Sequence, residues 1–140
     1  MLQKDGLTLA EARRAIDAML AEAEQEPRRP VAMAVVDAQG DLIAYARMDG
    51  VAAMPVRLAH QKAYTAARAG RDTSAFRQRL REQGGNLADY GDPFMAGLPG
   101  GVCVLHPRTH RILGGIGVSG HTGERDEAIA QIGRAAMGLT

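Results

Sequence analysis

The chain has 140 residues, near the commonest length of a single domain, so it is long enough to bury a substantial core. Seventeen Lys and Arg against 16 Asp and Glu give a net charge of +1, without the basic cluster of a nucleic-acid-binding protein. A single cysteine, Cys103, excludes an internal disulfide, and neither a membrane-spanning apolar run nor a signal-peptide pattern is present, so we expect a cytoplasmic protein without membrane or nucleic-acid partners.

The first half of the chain predicts a helix, a β-hairpin and a second helix. Thr8 and Glu11 form a capping-box pattern ahead of an apolar stripe that ends before Pro27. Residues 31–37 are apolar on both faces, as in a central strand, and a turn at residues 38–41 leads to a second strand at 42–47. A helix within about residues 53–69 then follows.

Lys62 occupies an unusual position in that second helix. It falls in a stripe that is otherwise apolar, and only one other lysine, Lys4, occurs in a chain rich in arginine. One interpretation is that the side chain extends along the helix and reaches water. The alternative is an ammonium held in a pocket, where it binds an anionic group or acts as a base.

The second half predicts a short helix at about residues 75–82 and an irregular segment at 83–99. Residues 102–106 and 111–119 then form a second hairpin, followed by a helix at about 124–138. The last strand has glycine at positions 115 and 117, on the face shared with Leu113 and Ser119, so a helix or a ligand should approach its backbone closely.

The loop SGHTGE at residues 119–124 connects this strand to the last helix. It is either a plain strand-to-helix connection capped by Thr122 or Gly123, or a ligand loop at a helix N-terminus. Glu124 and Asp126 place negative charge in the first turn of the helix, which argues against a phosphate site. No histidine or cysteine spacing matches a closed metal site, so we expect no dedicated metal centre.

The predicted order α-β-β-α-α-β-β-α describes one α+β domain over residues 1–140, dominated by antiparallel hairpins. Gly115, Gly117 and Gly120 spell part of a dinucleotide-binding motif, but they lie in a hairpin strand and lack its strand–turn–helix context.

Four blocks of the sequence resemble the GlcG/HbpS family, also described as the PduO C-terminal-like domain. They are VAMAVVDAQGDLIAYARMDG, HQKAYTAARAG, GLPGGVCVL and ILGGIGVSGHTGERDEAIAQIGRAAM, in the order found in that family. The resemblance implies a profilin-like fold, with one antiparallel sheet flanked by helices on both faces. It also implies assembly as a homo-oligomer, a dimer or an octamer, and haem binding by some members.

The family pattern and the local chemistry together predict a small-molecule pocket around Lys62, near a subunit interface. Its ligand is haem or a small carboxylated metabolite. The residues expected to line it are Arg47, Met48, Asp49, Lys62, Gly100, Gly101, Ser119, Gly120 and His121. No histidine precedes His60, and the sequence alone singles out no axial ligand for haem.

Two alternatives remain open at this point. In the first, the chain is a small catabolic enzyme for proton transfer or elimination, with Lys62 as anchor or base and Glu124 or Asp126 as its acid/base partner. In the second, it is a structural subunit in which Lys62 forms a salt bridge with Asp49 or Glu124.

Overall fold

A computed structural model describes residues 5–139; residues 1–4 and 140, which belong to the predicted domain, lie outside the described part. The elements are α1 (Leu9–Ala23), β1 (Ala32–Asp37), β2 (Leu42–Arg47), α2 (Ala53–Ala69), α3 (Thr73–Gln83), a 3-10 turn (Leu87–Tyr90), β3 (Gly101–Leu105), β4 (Ile112–Ser119) and α4 (Gly123–Ala136). The strands form one four-stranded antiparallel sheet in the order β2-β1-β4-β3, so two sequential hairpins join along β1 and β4. The α+β class and the predicted order of helices and strands are confirmed.

Helices cover both faces of the sheet. On one face, α1 and α4 pack on the larger side chains of the strands, including Met33, Val35 and Ile116. On the other face, α2 packs on Ala32, Ala34 and Val36. The two apolar faces predicted for β1 are therefore both buried, which is why this strand lies in the interior of the sheet.

The helix ends follow local cap chemistry. The Thr8 hydroxyl accepts from Glu11 N, and the Glu11 carboxylate accepts from Thr8 N, which completes the predicted capping box. Helix α3 begins at Thr73 after Asp72 as N-cap, two residues before the predicted start. Helix α2 ends at Ala69 and is followed by Gly70, whose φ of 70° is the left-handed conformation of a C-terminal cap.

The predicted face alternation of β4 is wrong at its start. A register shift between Val104 and Leu105 opposite this segment puts Leu113 in the same core as Ile116 and Val118. Ile112 instead lies against Gly70, at the end of α2. A bulge places one extra residue in a strand, and simple alternation cannot anticipate it.

Candidate functional site

Helix α2 lies with its backbone close against β4, while its small alanine side chains pack on β1. A Cβ at Gly117 would lie 2.0 Å from Ala59 O, and one at Gly115 would lie 2.4 Å from Ala63 O. The glycines of β4 are thus explained by the close approach of a helix, which was one of the two predicted reasons. This contact sets the distance of α2 from the sheet and the rotation of the helix about its axis, and these determine where the Lys62 side chain lies.

The Lys62 side chain lies buried between α2, β4 and α4. Its Nζ donates hydrogen bonds to Val118 O at 2.9 Å and to Asp126 Oδ2 at 3.2 Å, and both charged residues are almost completely withdrawn from solvent. Gly100, with a φ of 125°, is required beside it, since a Cβ there would lie 2.9 Å from Nζ. Lys62 therefore forms a buried ion pair with Asp126, and neither Asp49 nor Glu124 is its partner.

Burial shifts both titrating groups of this pair toward their neutral forms. The pKa of Lys62 is lowered from its ordinary value chiefly by burial, against the opposing effect of Asp126. The pKa of Asp126 is raised chiefly by burial, against the opposing effects of Lys62 and of the hydrogen bond from His121 N. The pair has no net charge in its ionic form, and it exposes almost none of its surface to solvent.

An open cavity of about 560 Å³ adjoins this pair, and we call it the Lys62 cavity. Its lining combines apolar and polar side chains from α2, α3, the segment before β3 and the start of α4. The residues that line it are Pro55, Leu58, Lys62, Arg77, Leu98, Pro99, Ser119, Gly120, His121, Thr122, Gly123, Glu124 and Asp126. Its size is within the range of small-molecule sites.

Two polar groups of the Lys62 cavity have no partner within residues 5–139. The Arg77 guanidinium, half-buried on α3, makes no ion pair or hydrogen bond there. The Ser119 hydroxyl makes none either, although the residue is only 3% exposed. No fully buried side-chain N or O atom of residues 5–139 lacks a partner, so the Ser119 hydroxyl is not sealed from solvent, and Ser119 lines the cavity. Sequence analysis did not single out Arg77, because it is one of many arginines on an exposed-looking helix.

His121 has both ring nitrogens engaged. Nδ1 accepts a hydrogen bond from Thr122 N at 2.7 Å, so the proton is on Nε2, which lies 3.1 Å from Glu26 Oε2. Glu26 also accepts from Arg125, and this links the end of α1 to the start of α4. These hydrogen bonds hold His121 in a fixed position at the rim of the Lys62 cavity.

The predicted lining residues divide into two groups. Lys62, Ser119, Gly120 and His121 line the Lys62 cavity, and Gly100 and Gly101 pack directly against Lys62. Arg47, Met48 and Asp49 line a separate depression with Gly50 and Val51. Glu124 is exposed at the cavity rim, while Asp126 is buried. Their assignment to ligand binding or catalysis stays a prediction.

A second depression lies along α2 on the side of the β2 edge. This groove of about 360 Å³ is lined by Leu42, Tyr45, Val56, Arg57, His60 and Phe94, and we call it the His60 groove. The Tyr45 hydroxyl donates to Val56 O at 2.7 Å, so its polar atom is satisfied within the wall. Arg57 has no ion pair or hydrogen bond in the described part of the chain.

The imidazole of His60 is held in one orientation with one nitrogen free. Nε2 lies 3.0 Å from Gly40 O, and because a carbonyl only accepts, the proton must be on Nε2. The ring edge also packs against Phe94 at 4.8 Å between centroids. Nδ1 has no partner among residues 5–139, and it is not sealed from solvent. Sequence analysis singled out no axial ligand for haem, so it did not identify His60 as a candidate.

The remaining two histidines and the cysteine lie in the β3–β4 hairpin, away from both depressions. His106 is buried, and its Nδ1 accepts from both Arg108 N and Thr109 N in the β3–β4 turn. His110 occupies the same turn with a φ of 60°. Cys103 is buried, and burial raises its pKa to about 11. Within residues 5–139, no three His, Cys, Asp or Glu side chains converge on a common metal position.

Comparison with known proteins gives concordant results. Residues 7–135 match the family described as haem degrading protein HbpS-like. Protein GlcG of Escherichia coli K12 is 32% identical over 105 residues, which cover 73% of this chain and 75% of GlcG.

Two solved structures have a fold similar to that of this chain over nearly its whole length. A double mutant of Streptomyces reticuli HbpS is 32% identical, with a TM-score of 0.85, covering 99% of this chain and 91% of that one. A structure titled PduOC:Heme Complex is 26% identical, with a TM-score of 0.83, covering 96% and 97%. None of the helices in the described range is long and apolar enough to cross a membrane. By sequence and by fold, the chain belongs to the HbpS-like family.

Proposed function

We propose that the chain is a haem-binding accessory protein and that His60 is the residue that holds the iron. The family description and the haem complex of PduOC support haem as the ligand class. The observation that carries the proposal is the oriented imidazole of His60, which lines an apolar groove and whose Nδ1 has no partner among residues 5–139.

An axial iron ligand must have a donor atom that is free and accessible. His106 uses its Nδ1 for two backbone N–H groups, and Cys103 is a buried thiol with a raised pKa. His121 has both nitrogens engaged and borders a cavity that contains several charged side chains. His60 meets the requirement, and its Nε2–H bond to Gly40 O is the backbone contact that commonly orients a metal-binding imidazole.

The walls of the His60 groove suit the rest of the molecule. Leu42, Val56 and Phe94 offer apolar surface to a flat ring system. The Arg57 guanidinium, which has no ion pair or hydrogen bond among residues 5–139, suits a propionate, since a guanidinium binds a carboxylate with two parallel hydrogen bonds. Haem, when bound, supplies an iron that exchanges electrons or binds dioxygen. The chain's own residues bind and orient it.

The test is a titration of the purified protein with hemin, followed by absorption in the Soret region. We expect saturation at one haem per chain, and loss of the shifted band in His60→Ala and His60→Gln. The matched control is His110→Ala, in the exposed β3–β4 turn, which should bind as the unmodified protein does. Melting temperatures of all variants show whether a loss of binding reflects unfolding.

Two results would contradict the proposal in different ways. No saturable Soret shift with the unmodified protein would remove haem binding altogether. Loss of the band in His121→Ala, with His60→Ala unaffected, would place the iron at the Lys62 cavity instead. A weaker affinity of Arg57→Gln, compared with Arg13→Gln on α1, tests the propionate contact separately.

A further inference from the structure

We propose that the Lys62 cavity is a second ligand site, which binds a small carboxylic acid with an apolar body, and that Arg77 receives the carboxylate. This site is distinct from the His60 groove. It follows from the unused polar groups of the cavity and from the nature of its walls.

The charge that a ligand meets in this cavity is not that of Lys62. The ammonium is neutralised by Asp126, and two of its three N–H donors bond to Asp126 and to Val118 O. An added anion therefore gains little from a pair that is already balanced. Arg77 is the cation that lines the cavity without a partner in residues 5–139.

Ser119 supplies a second, independent indication of a ligand. It is more than nine-tenths buried, and its hydroxyl is unpartnered among the described residues and open to the cavity. A hydroxyl in a nearly buried residue normally has a hydrogen-bond partner, and because this one is open to the cavity a bound ligand can supply it. A carboxylate oxygen can accept a hydrogen bond from this hydroxyl, and Lys62 also lines the cavity.

The walls define the rest of the ligand. Pro55, Leu58, Leu98 and Pro99 give the cavity an apolar side. Glu124 is exposed at the rim, where water and salt screen its charge from the interior. The arrangement favours a small acid whose carboxylate points inward and whose apolar part lies against the prolines and leucines.

Benzoate and its neutral analogue benzamide are suitable probes, since they have the same shape and differ in charge. We expect benzoate, but not benzamide, to raise the melting temperature and to give a saturable calorimetric titration. Arg77→Gln should abolish the response, and Ser119→Ala should weaken it several-fold. Arg79→Gln, on the same helix but lining another depression, is the matched control and should respond fully.

Three results would contradict the assignment of a carboxylate site to the Lys62 cavity. An equal response to benzamide means that the cavity only takes up apolar molecules, and an unchanged response in Arg77→Gln means that the carboxylate is bound elsewhere. Absence of any benzoate response removes the site. Because the measurement is made without haem and is repeated in His60→Ala, its result is independent of haem binding.

Discussion

Lys62 Nζ lies 3.2 Å from Asp126 Oδ2, and side chains of both residues are at most 4% exposed. The pair connects the middle of α2 to the first turn of α4, 64 residues later in the chain. Because a buried charge is costly when it is left alone, each residue depends on the other.

Replacing Lys62 alone should therefore destabilise the fold strongly. We expect Lys62→Met to lower the free energy of unfolding by about 3–5 kcal/mol, since Asp126 is left buried without its counter-ion. The double variant Lys62→Met with Asp126→Asn should recover much of this loss, because Asn keeps an acceptor for His121 N without the charge. Urea denaturation measures both. A single variant as stable as the unmodified protein would show that the pair is not structural.

The glycine at position 117 should tolerate no side chain. A Cβ there would lie 2.0 Å from Ala59 O, so Gly117→Ala must push α2 away from the sheet. We expect a loss of at least about 1–3 kcal/mol in the free energy of unfolding. Gly6→Ala is the control, because a Cβ at Gly6 has no atom within 4 Å. Equal stability of the two variants would contradict the close backbone packing of α2.

Cys103 should not react while the protein is folded. Burial raises the pKa of its thiol to about 11, so almost no thiolate is present near neutral pH. A disulfide reagent such as Ellman's should modify it only in denaturant. An exposed cysteine introduced by Ala10→Cys should react at once and serves as the positive control. Rapid modification of the native protein would show that this strand opens readily.

The bridge between α1 and α4 should weaken in acid. Hydrogen bonds from His121 and Arg125 hold the pKa of Glu26 below its ordinary value of 4.5. A carboxylate with a lowered pKa contributes stability that is present above the unfolded pKa and lost as pH falls through the folded one. The melting temperature should fall less from about pH 7 to about pH 3 in Glu26→Gln than in the unmodified protein.

Glu24→Gln provides the comparison for this effect, since Glu24 has no ion pair in the described part of the chain. Its acid sensitivity should match that of the unmodified protein. The same sensitivity in Glu26→Gln would show that the bridge adds nothing to the pH dependence.

The helices and strands could be predicted from the sequence because the patterns that specify them are local. The capping box at Thr8, the two apolar faces of β1 and the turn residues of both hairpins each specify one element without reference to the rest. The bulge opposite Leu105 was missed, because it depends on how two strands meet.

The candidate sites were only partly accessible. Lys62 is recognisable in the sequence because it interrupts an apolar stripe. Its salt-bridge partner was predicted wrongly as Asp49 or Glu124, because the actual partner, Asp126, is 64 residues away and only the fold brings it close. Arg77 and His60 carry no sequence signal of their own. They are candidates for ligand binding because the Arg77 guanidinium and His60 Nδ1 have no partner within residues 5–139, and only the three-dimensional structure shows this. Oligomerisation stays a prediction.

Helix α2 forms one wall of both proposed sites, the Lys62 cavity and the His60 groove. Its orientation is set by the close contact with the glycines of β4. Its backbone occupies the sheet side, so Leu58 and Lys62 are directed to one flank, and Arg57 and His60 to the other. One residue inserted in the middle of α2 would rotate everything after it by about 100°. An insertion or deletion in α2 would therefore alter the lining of both proposed sites together, so neither could be changed in this way without disturbing the other.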